Sequence, residues 1–495
     1  MNIYRPPRRS AMANNGSGRS GAIVYPELPD DLRRGLTLRS LSYFGAGAIM
    51  ASVTIGSGET FFASRGGAIF GYTLLWCFVA SAVMKGVQVY TAARHMTLTG
   101  EHPMTHWGKL PGPRNWVPWT MGILSMLCFP FWLAGLPLFI GKTINWIFGI
   151  EGSQAELLLY ARVFGSICIV VAVTLTWLQS YGVLEKVQTF IVGLLLLSVL
   201  AACFAARPDW LAVLFGMFVP EVPDYAPWVV AKYPDIASTG IWVAIGAFLG
   251  AIGGGTYDYI GYIGCYREKK WGLISTRDGT HDASTLPIDE APENIRRGKA
   301  WLLPARIDVG IGFFCVLLFT ICFYVLGASM LHPKEVVPDT AEPLVHQALF
   351  VTQFHPLMMY LYQLGIFMAF WGTIYGAYEI YIRTARECFR PLSRAIHDMP
   401  DRTFRLILLI YCAGGALPLL WVMENPVKTV EPAAIVGGVF TCGLWCFLML
   451  WTDRSFLPPS LRMPKLLMLA TVASGVVLTA IGAKAIVDYV ARLIG

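Results

Sequence analysis

The sequence predicts an all-α integral membrane protein of about eleven transmembrane helices, arranged as a 5+5 inverted repeat whose first and sixth spans are discontinuous. Three observations lead there: a composition too apolar for water, apolar runs long enough to cross a bilayer, and glycine clusters interrupting two of those runs five spans apart.

Over 495 residues, 55% are hydrophobic and only 14% charged, with a mean hydropathy of +0.55. Soluble domains carry about 25% charged residues, so this chain lacks the polar surface that water demands and suits a helix bundle in lipid. The formal charge of +7 reflects loop arginines, and no basic patch interleaved with aromatics points to nucleic acid. The eleven cysteines are scattered through apolar runs. Cys442 and Cys446 lie one turn apart, but no neighbouring His or Cys completes a zinc set, so the cysteines read as small packing residues.

Residues 1–40 hold Arg5, Arg8, Arg9, Arg19, Arg33, Arg34 and Arg39 without an apolar core, which excludes a cleaved signal peptide. Gly, Ser, Asn and Pro recur over 11–30, predicting a disordered basic cytoplasmic tail over 1–40.

A bilayer core of about 30 Å takes about 20 apolar residues per helix. Such runs fall near 41–63, 67–93, 116–148, 157–180, 183–206, 239–265, 303–331, 356–382, 404–422, 431–451 and 464–490. The segment Trp210 to Val219 is too short and predicts an interfacial helix. The expected organisation is a first repeat over 41–206, an extracytoplasmic connection over 207–238, a second repeat over 239–451, and a loop with span eleven over 452–495.

Lys and Arg should collect in cytoplasmic loops. The loops 94–115, 181–186, 266–302, 383–403 and 452–465 carry most of them, including Arg94, Lys186, Arg267, Arg297, Arg383, Arg394 and Arg462. The opposite loops, 207–238 and 332–355, hold Asp209, Glu221, Asp224, Asp235, Glu335, Asp339 and Glu342. The expectation is a multi-pass protein of the plasma membrane, N-terminus inside and C-terminus outside.

Most spans are smooth, but the first reads Thr54-Ile55-Gly56-Ser57-Gly58-Glu59-Thr60 and the sixth Ala251-Ile252-Gly253-Gly254-Gly255-Thr256-Tyr257-Asp258. Glycine costs about 1 kcal/mol in a helix interior, and each segment also brings a carboxylate to mid-membrane. Paired broken segments of this kind are the sequence mark of an inverted repeat with a solute site at the midplane.

Glu59 and Asp258 are therefore the first site candidates. Unpaired acids at that depth are costly unless they face protein, water or a cation, and freed backbone carbonyls add the hard oxygens that cations favour. Each acid could instead cap a half-helix or pair with Lys85 or Arg65. Lys85 and Gln88 could line a pathway, or snorkel and pack. Glu379 with Arg383 and Lys484 with Asp488 are spaced one turn apart and read as ion pairs. Asp308 and Arg306 flank the start of span seven, where interfacial solvation accounts for them. His95, His102 and His106 lack the partners a metal cluster needs. No nucleophile elbow, P-loop or H-E-x-x-H is present, so no enzyme class is supported and no cofactor is expected.

The stretch from Gly45 to Gly100, with Ile55-Gly56-Ser57-Gly58-Glu59 and Phe70-Gly71-Tyr72-Thr73-Leu74-Leu75-Trp76, resembles the opening of Nramp-family divalent-metal transporters. Gln88 followed by Ala92-Ala93-Arg94 is similar to the end of that family's second span, and Gly372-Thr373-Ile374-Tyr375-Gly376-Ala377-Tyr378 to its eighth. The resemblance implies a LeuT-like fold working by alternating access. It also shows departures. Where the family has Asp-Pro-Gly-Asn, this chain has Gly56-Ser57-Gly58-Glu59, and its Met-Pro-His becomes Gly254-Gly255-Thr256. The third span lacks the Thr-Asp-x-x-Glu pattern associated with proton transfer.

Loss of the thioether removes the preference for softer metals. The remaining carboxylates, carbonyls and hydroxyls suit a harder, partly hydrated ion such as Mg²⁺. The expected site comprises Glu59 and Asp258, carbonyls near Val53, Gly56 and Ala251, and Gly254 and Thr256, with Ser57, Gln88 and Tyr375 along the pathway. The expectation is divalent-cation transport, Mg²⁺-leaning or poorly selective and without proton coupling, with lipid and the metal ion as partners and no obligate protein partner. An amino acid or other small organic solute, and a non-transporting membrane sensor or scaffold, stand as alternatives.

Overall fold

The computed structural model describes residues 22–33, 35, 43, 47, 50, 53–54, 56, 58–178, 182–277, 287–338 and 346–494. Ser57 lies outside the described residues, as does most of the expected tail.

The second half of the first span opens with a π-helical turn, Gly58–Phe62, and continues as α1 (Ala63–Phe70). Sequence placed the end of this span at 63 and the next span at 67–93. The apolar stretch in fact carries on through Ile69 and Phe70 until Gly71, at φ +58°, turns the chain. The second span, α2 (Leu75–Thr99), ends on Gly100, whose left-handed backbone returns its N–H to the Met96 carbonyl.

The long helices α3 (Trp116–Ile147) and α4 (Gln154–Leu178) pair closely, because Gly141 lets the Ala161 carbonyl approach to within 2.0 Å of where a Cβ would stand. Helix α5 (Gly182–Ala205) leads to α6 (Trp210–Phe218), bent from it by 116°. Asp209 caps α6 by accepting from the Leu211 and Ala212 N–H groups, and Leu211, Phe215 and Phe218 stay exposed.

The sixth span is two helices, α7 (Ile241–Ala251) and α8 (Thr256–Gly264), separated by Ile252–Gly255. Beyond it run α9 (Leu302–Leu326), α10 (Met358–Phe389) and α11 (Asp401–Val422). The tenth span joins α12 (Pro426–Ile435) to α13 (Thr441–Phe456) through a π-helical turn at Val436–Phe440, and α14 (Lys465–Ile494) closes the chain.

By length and composition, seven helices among the described residues can cross a membrane unaided. The other apolar runs are the two broken spans, the bent pair at α5–α6, and α10, whose Tyr, Gly, Thr and Gln residues dilute its apolarity.

Two sequence expectations change at the Arg/Lys-rich end. Residues 22–33, part of the stretch expected as a disordered tail, are packed. The Tyr25 ring covers Gly298, its hydroxyl donates to the Leu98 carbonyl at 2.8 Å, and its N–H donates to Asn294 Oδ1 at 2.8 Å. An aromatic anchor with three such contacts outweighs the local Gly/Ser content. Asp308, expected at a solvated interface, is wholly buried. It accepts from the Tyr262 hydroxyl at 2.6 Å, the Tyr266 hydroxyl at 3.0 Å and the Gly47 N–H at 2.8 Å, and so ties α8 and α9 to the first half of span one.

The Glu379–Arg383 pair forms at 2.7 Å, and Arg405 of α11 joins Glu379 at 2.5 Å. Arg267 of the chain after α8 holds Glu387 with two bonds, at 2.6 and 2.9 Å.

Candidate functional site

A helix that unwinds inside a bilayer leaves backbone groups that lipid will not satisfy. At the break in span six, Gly253 and Gly254 adopt φ of +74° and +79°, a region glycine enters without steric cost. These turns point successive carbonyls and N–H groups in different directions, and side chains from three spans meet them.

Lys85, at the middle of α2, donates to the Leu249, Ile252 and Gly254 carbonyls at 2.7, 2.5 and 2.8 Å, with Gly250 at 3.4 Å. Ser81, one turn earlier, donates to the Leu249 carbonyl at 2.8 Å. The Tyr259 hydroxyl donates to the Gly253 carbonyl at 2.7 Å. Glu59 Oε1 accepts from the Gly253 N–H at 2.8 Å, and Asp258 Oδ2 accepts from the Gly255 N–H at 2.7 Å, capping α8.

Beside the break lies a cavity that opens to one side. Val53 and Thr54 line it from span one, Ala251, Gly254, Tyr257 and Asp258 from span six, and Gly437 and Gly438 from span ten. Helix α10 presents Thr373, Ala377 and Tyr381, spaced one turn apart on a single face. Helix α3 adds Trp132 and Leu136, which fall between Pro130 and Pro137. The Tyr381 ring is stacked on Phe129 at 4.0 Å, which fixes that wall.

The predicted residues thus divide. Val53, Ala251, Gly254 and Asp258 meet around the cavity, and Asp258 is the acid among its lining residues. Glu59, expected beside it as a second charge donor, is fully buried outside the lining and turned to the Gly253 N–H. Its Oε2 has no hydrogen-bond partner among the described residues.

Gly56 backs onto α10, where a Cβ would lie 2.2 Å from Thr373 Oγ1. Thr256 faces span ten, accepting from Thr441 Oγ1 at 2.9 Å and lying 3.3 Å from Cys442 Sγ. Gln88 is buried in α2 and Tyr375 in α10, and neither lines the cavity. Sequence reasoning missed Trp132, Tyr257, Thr373 and Tyr381, and it underweighted Lys85. A lysine ten residues from one end of an apolar helix and fourteen from the other was the available signal. Among the described residues, no three His, Cys, Asp or Glu side chains are grouped to hold a metal without other ligands.

Comparison with known proteins extends these observations. Residues 47–252 match the family model described as "Natural resistance-associated macrophage protein-like", Nramp. The match stops at Ile252, where the glycine break begins. A divalent metal cation transporter MntH of Yersinia pestis is 30% identical over 202 residues, 39% of this chain and 46% of that protein. The MntH of Caldanaerobacter subterraneus is 26% identical over 208 residues, again 46% of its length. The chain therefore matches about half the length of these curated relatives.

In fold the likeness is broader. A manganese transporter of Eremococcus coleocola superposes with a TM-score of 0.63 over 96% of this chain and 91% of that one, at 14% identity. MhsT in complex with L-phenylalanine gives 0.51 over 89% of this chain and 98% of its own, also at 14% identity. Residues 47–252 are thus similar in sequence to the Nramp family, and nearly the whole chain has the LeuT-like fold of the Eremococcus coleocola transporter, as a multi-pass membrane protein.

Proposed function

We propose that this protein carries divalent cations across the cell membrane by alternating access, that the cation travels partly hydrated, and that Asp258 is its charged ligand. The observation carrying this reading is one carboxylate, Asp258, at the wall of a cavity formed where two broken spans meet. Oxygens of Val53, Thr54, Ala251 and Thr373 are the neutral partners at hand.

A lining with one carboxylate and no thioether among the described residues fits Mg²⁺, which keeps several waters and takes one or two carboxylates from a protein. Helix α3 contains no Asp or Glu, so a carboxylate proton relay along that span has no residues to run on. The arginine distribution supports an N-terminus on the cytoplasmic side. The relatives bearing a metal-transporter name support the cation class.

A second reading rests on Trp132, Tyr257 and Tyr381 in the same wall. Aromatic faces beside a carboxylate also suit a small organic ammonium ion. Isothermal titration of the purified protein with Mg²⁺, Mn²⁺, Ca²⁺ and a set of small amines separates the two. Saturable heats with Mg²⁺ and Mn²⁺, competed by one another, are expected. Heats with an amine and none with any divalent ion would overturn the first reading in favour of the second.

A further inference from the structure

The Lys85 ammonium occupies a position that looks built for a free ion. Its side chain is completely buried, so it does not snorkel. An ammonium has three N–H donors, and three carbonyl oxygens stand 2.5, 2.7 and 2.8 Å from Nζ, with a fourth at 3.4 Å. Those lengths belong to charge-assisted hydrogen bonds. Lys85 forms no ion pair among the described residues; of the nearby acids, Glu59 accepts from the Gly253 N–H through Oε1 and Asp258 from the Gly255 N–H through Oδ2.

A shell made of backbone carbonyls is how proteins replace the water around a large, weakly hydrated monovalent cation. Mg²⁺ needs oxygens at about 2.0–2.1 Å and holds its water, so this shell is of a different kind from the cavity at Asp258.

We propose that the carbonyls from Leu249, in the last turn of α7, to Gly254, in the break, form a monovalent-cation site whose resident is the chain's own Lys85 ammonium, so that the broken span needs no free Na⁺ or K⁺ to hold its shape. Three elements converge there. Span one brings Glu59, α2 brings Lys85, and α8 brings Asp258 and the Tyr259 hydroxyl. The tethered cation balances one of the two carboxylates and joins α2 to both halves of span six. This inference is independent of which solute Asp258 binds.

The test uses the full chain in detergent and in proteoliposomes. The wild type should show the same thermal transition and the same solute uptake in NaCl, KCl and choline chloride. Lys85→Ala leaves the carbonyls facing one another around a vacated channel. Its transition in choline should fall by several degrees, and should recover in ammonium, ethylammonium or K⁺ but not in further choline. Lys85→Gln, neutral but still a donor, should be lowered less and respond to the same cations, and it serves where the alanine variant does not fold. The proposal is overturned if the wild type requires Na⁺ or K⁺, or if the folded variant ignores ammonium and K⁺ alike. Divalent binding measured on the wild type is unaffected by either result, so failure here is separate from failure of the Asp258 reading.

Discussion

Gly58→Ala probes the contact on which the whole site depends, the meeting of the two broken spans. A Cβ on Gly58 would lie 2.1 Å from the Ala251 carbonyl oxygen and 3.0 Å from its carbon. Tolerated Cβ contacts begin near 3.0 Å, so the half-helices must separate by roughly 0.9 Å. The obstacle is backbone, so no side-chain rotation relieves it. Overpacking of this kind costs about 1–3 kcal/mol. Alanine recovers up to about 1 kcal/mol of helix propensity, which is too little to reverse the sign.

The expected outcome is a lower thermal transition in detergent together with reduced solute binding, since Ala251 also lines the cavity. Gly310→Ala, in α9 with open space around its Cβ position, is the control and should match or slightly exceed the wild type. A Gly58→Ala protein as stable as the Gly310→Ala protein would refute the close approach of the two breaks.

Three further outcomes are expected. Asp308→Ala leaves the Gly47 N–H and the Tyr262 and Tyr266 hydroxyls without their buried acceptor, at about 1–3 kcal/mol each. Asp308→Asn keeps an acceptor, so thermal denaturation should rank wild type above Asn and Asn well above Ala. Arg94 and Asp453 form a buried pair at 2.6 Å, only 3% and 7% exposed. Asp453→Leu alone should cost about 3–5 kcal/mol by stranding the guanidinium, and adding Arg94→Met should restore part of that loss in the same assay. His102 accepts from the Met104 N–H through Nδ1, so its proton sits on Nε2 facing the Ile260 carbonyl, and burial pushes its pKa down to about 4. Because the unfolded value is higher, near 6.5, stability should be unaffected above that pH and fall as pH drops from about 6.5 towards 4, by up to roughly 3 kcal/mol. His102→Gln should flatten that part of the stability–pH curve.

Much of the architecture was legible because lipid imposes few solutions. Apolar length gave the spans, and glycine clusters at Gly56–Gly58 and Gly253–Gly255 gave the breaks, since glycine is costly in a continuous helix. The orientation of side chains was far less legible. In a soluble helix, polarity marks the outward face. In this bundle both lipid and protein interior are apolar, so the phase of Glu59 could not be read, and it points to the Gly253 N–H instead of the cavity.

Lys85 shows the same limit from another side. Its partners are backbone carbonyls of a segment 164 to 169 residues away in the chain, and a carbonyl has no letter in a sequence. Asp308 was misplaced because its acceptor role depends on Tyr262 of α8 and Tyr266 just beyond it, which come together with it only in the folded bundle. The cavity aromatics were missed for the converse reason. Trp132 and Tyr381 are ordinary residues for membrane helices, and only the bends around the breaks leave them facing empty space.

The central claim is that Asp258, and not Glu59, is the acid that meets the transported cation. Equilibrium titration of Mg²⁺ and Mn²⁺ into Asp258→Asn and Glu59→Gln addresses it directly. Removal of the one charged ligand should weaken binding at least about tenfold, a loss of roughly 1.4 kcal/mol or more, whereas the Glu59 variant, whose amide oxygen still accepts from Gly253, should lose distinctly less. Equal affinity in Asp258→Asn and wild type, or a larger loss in Glu59→Gln, would contradict the account.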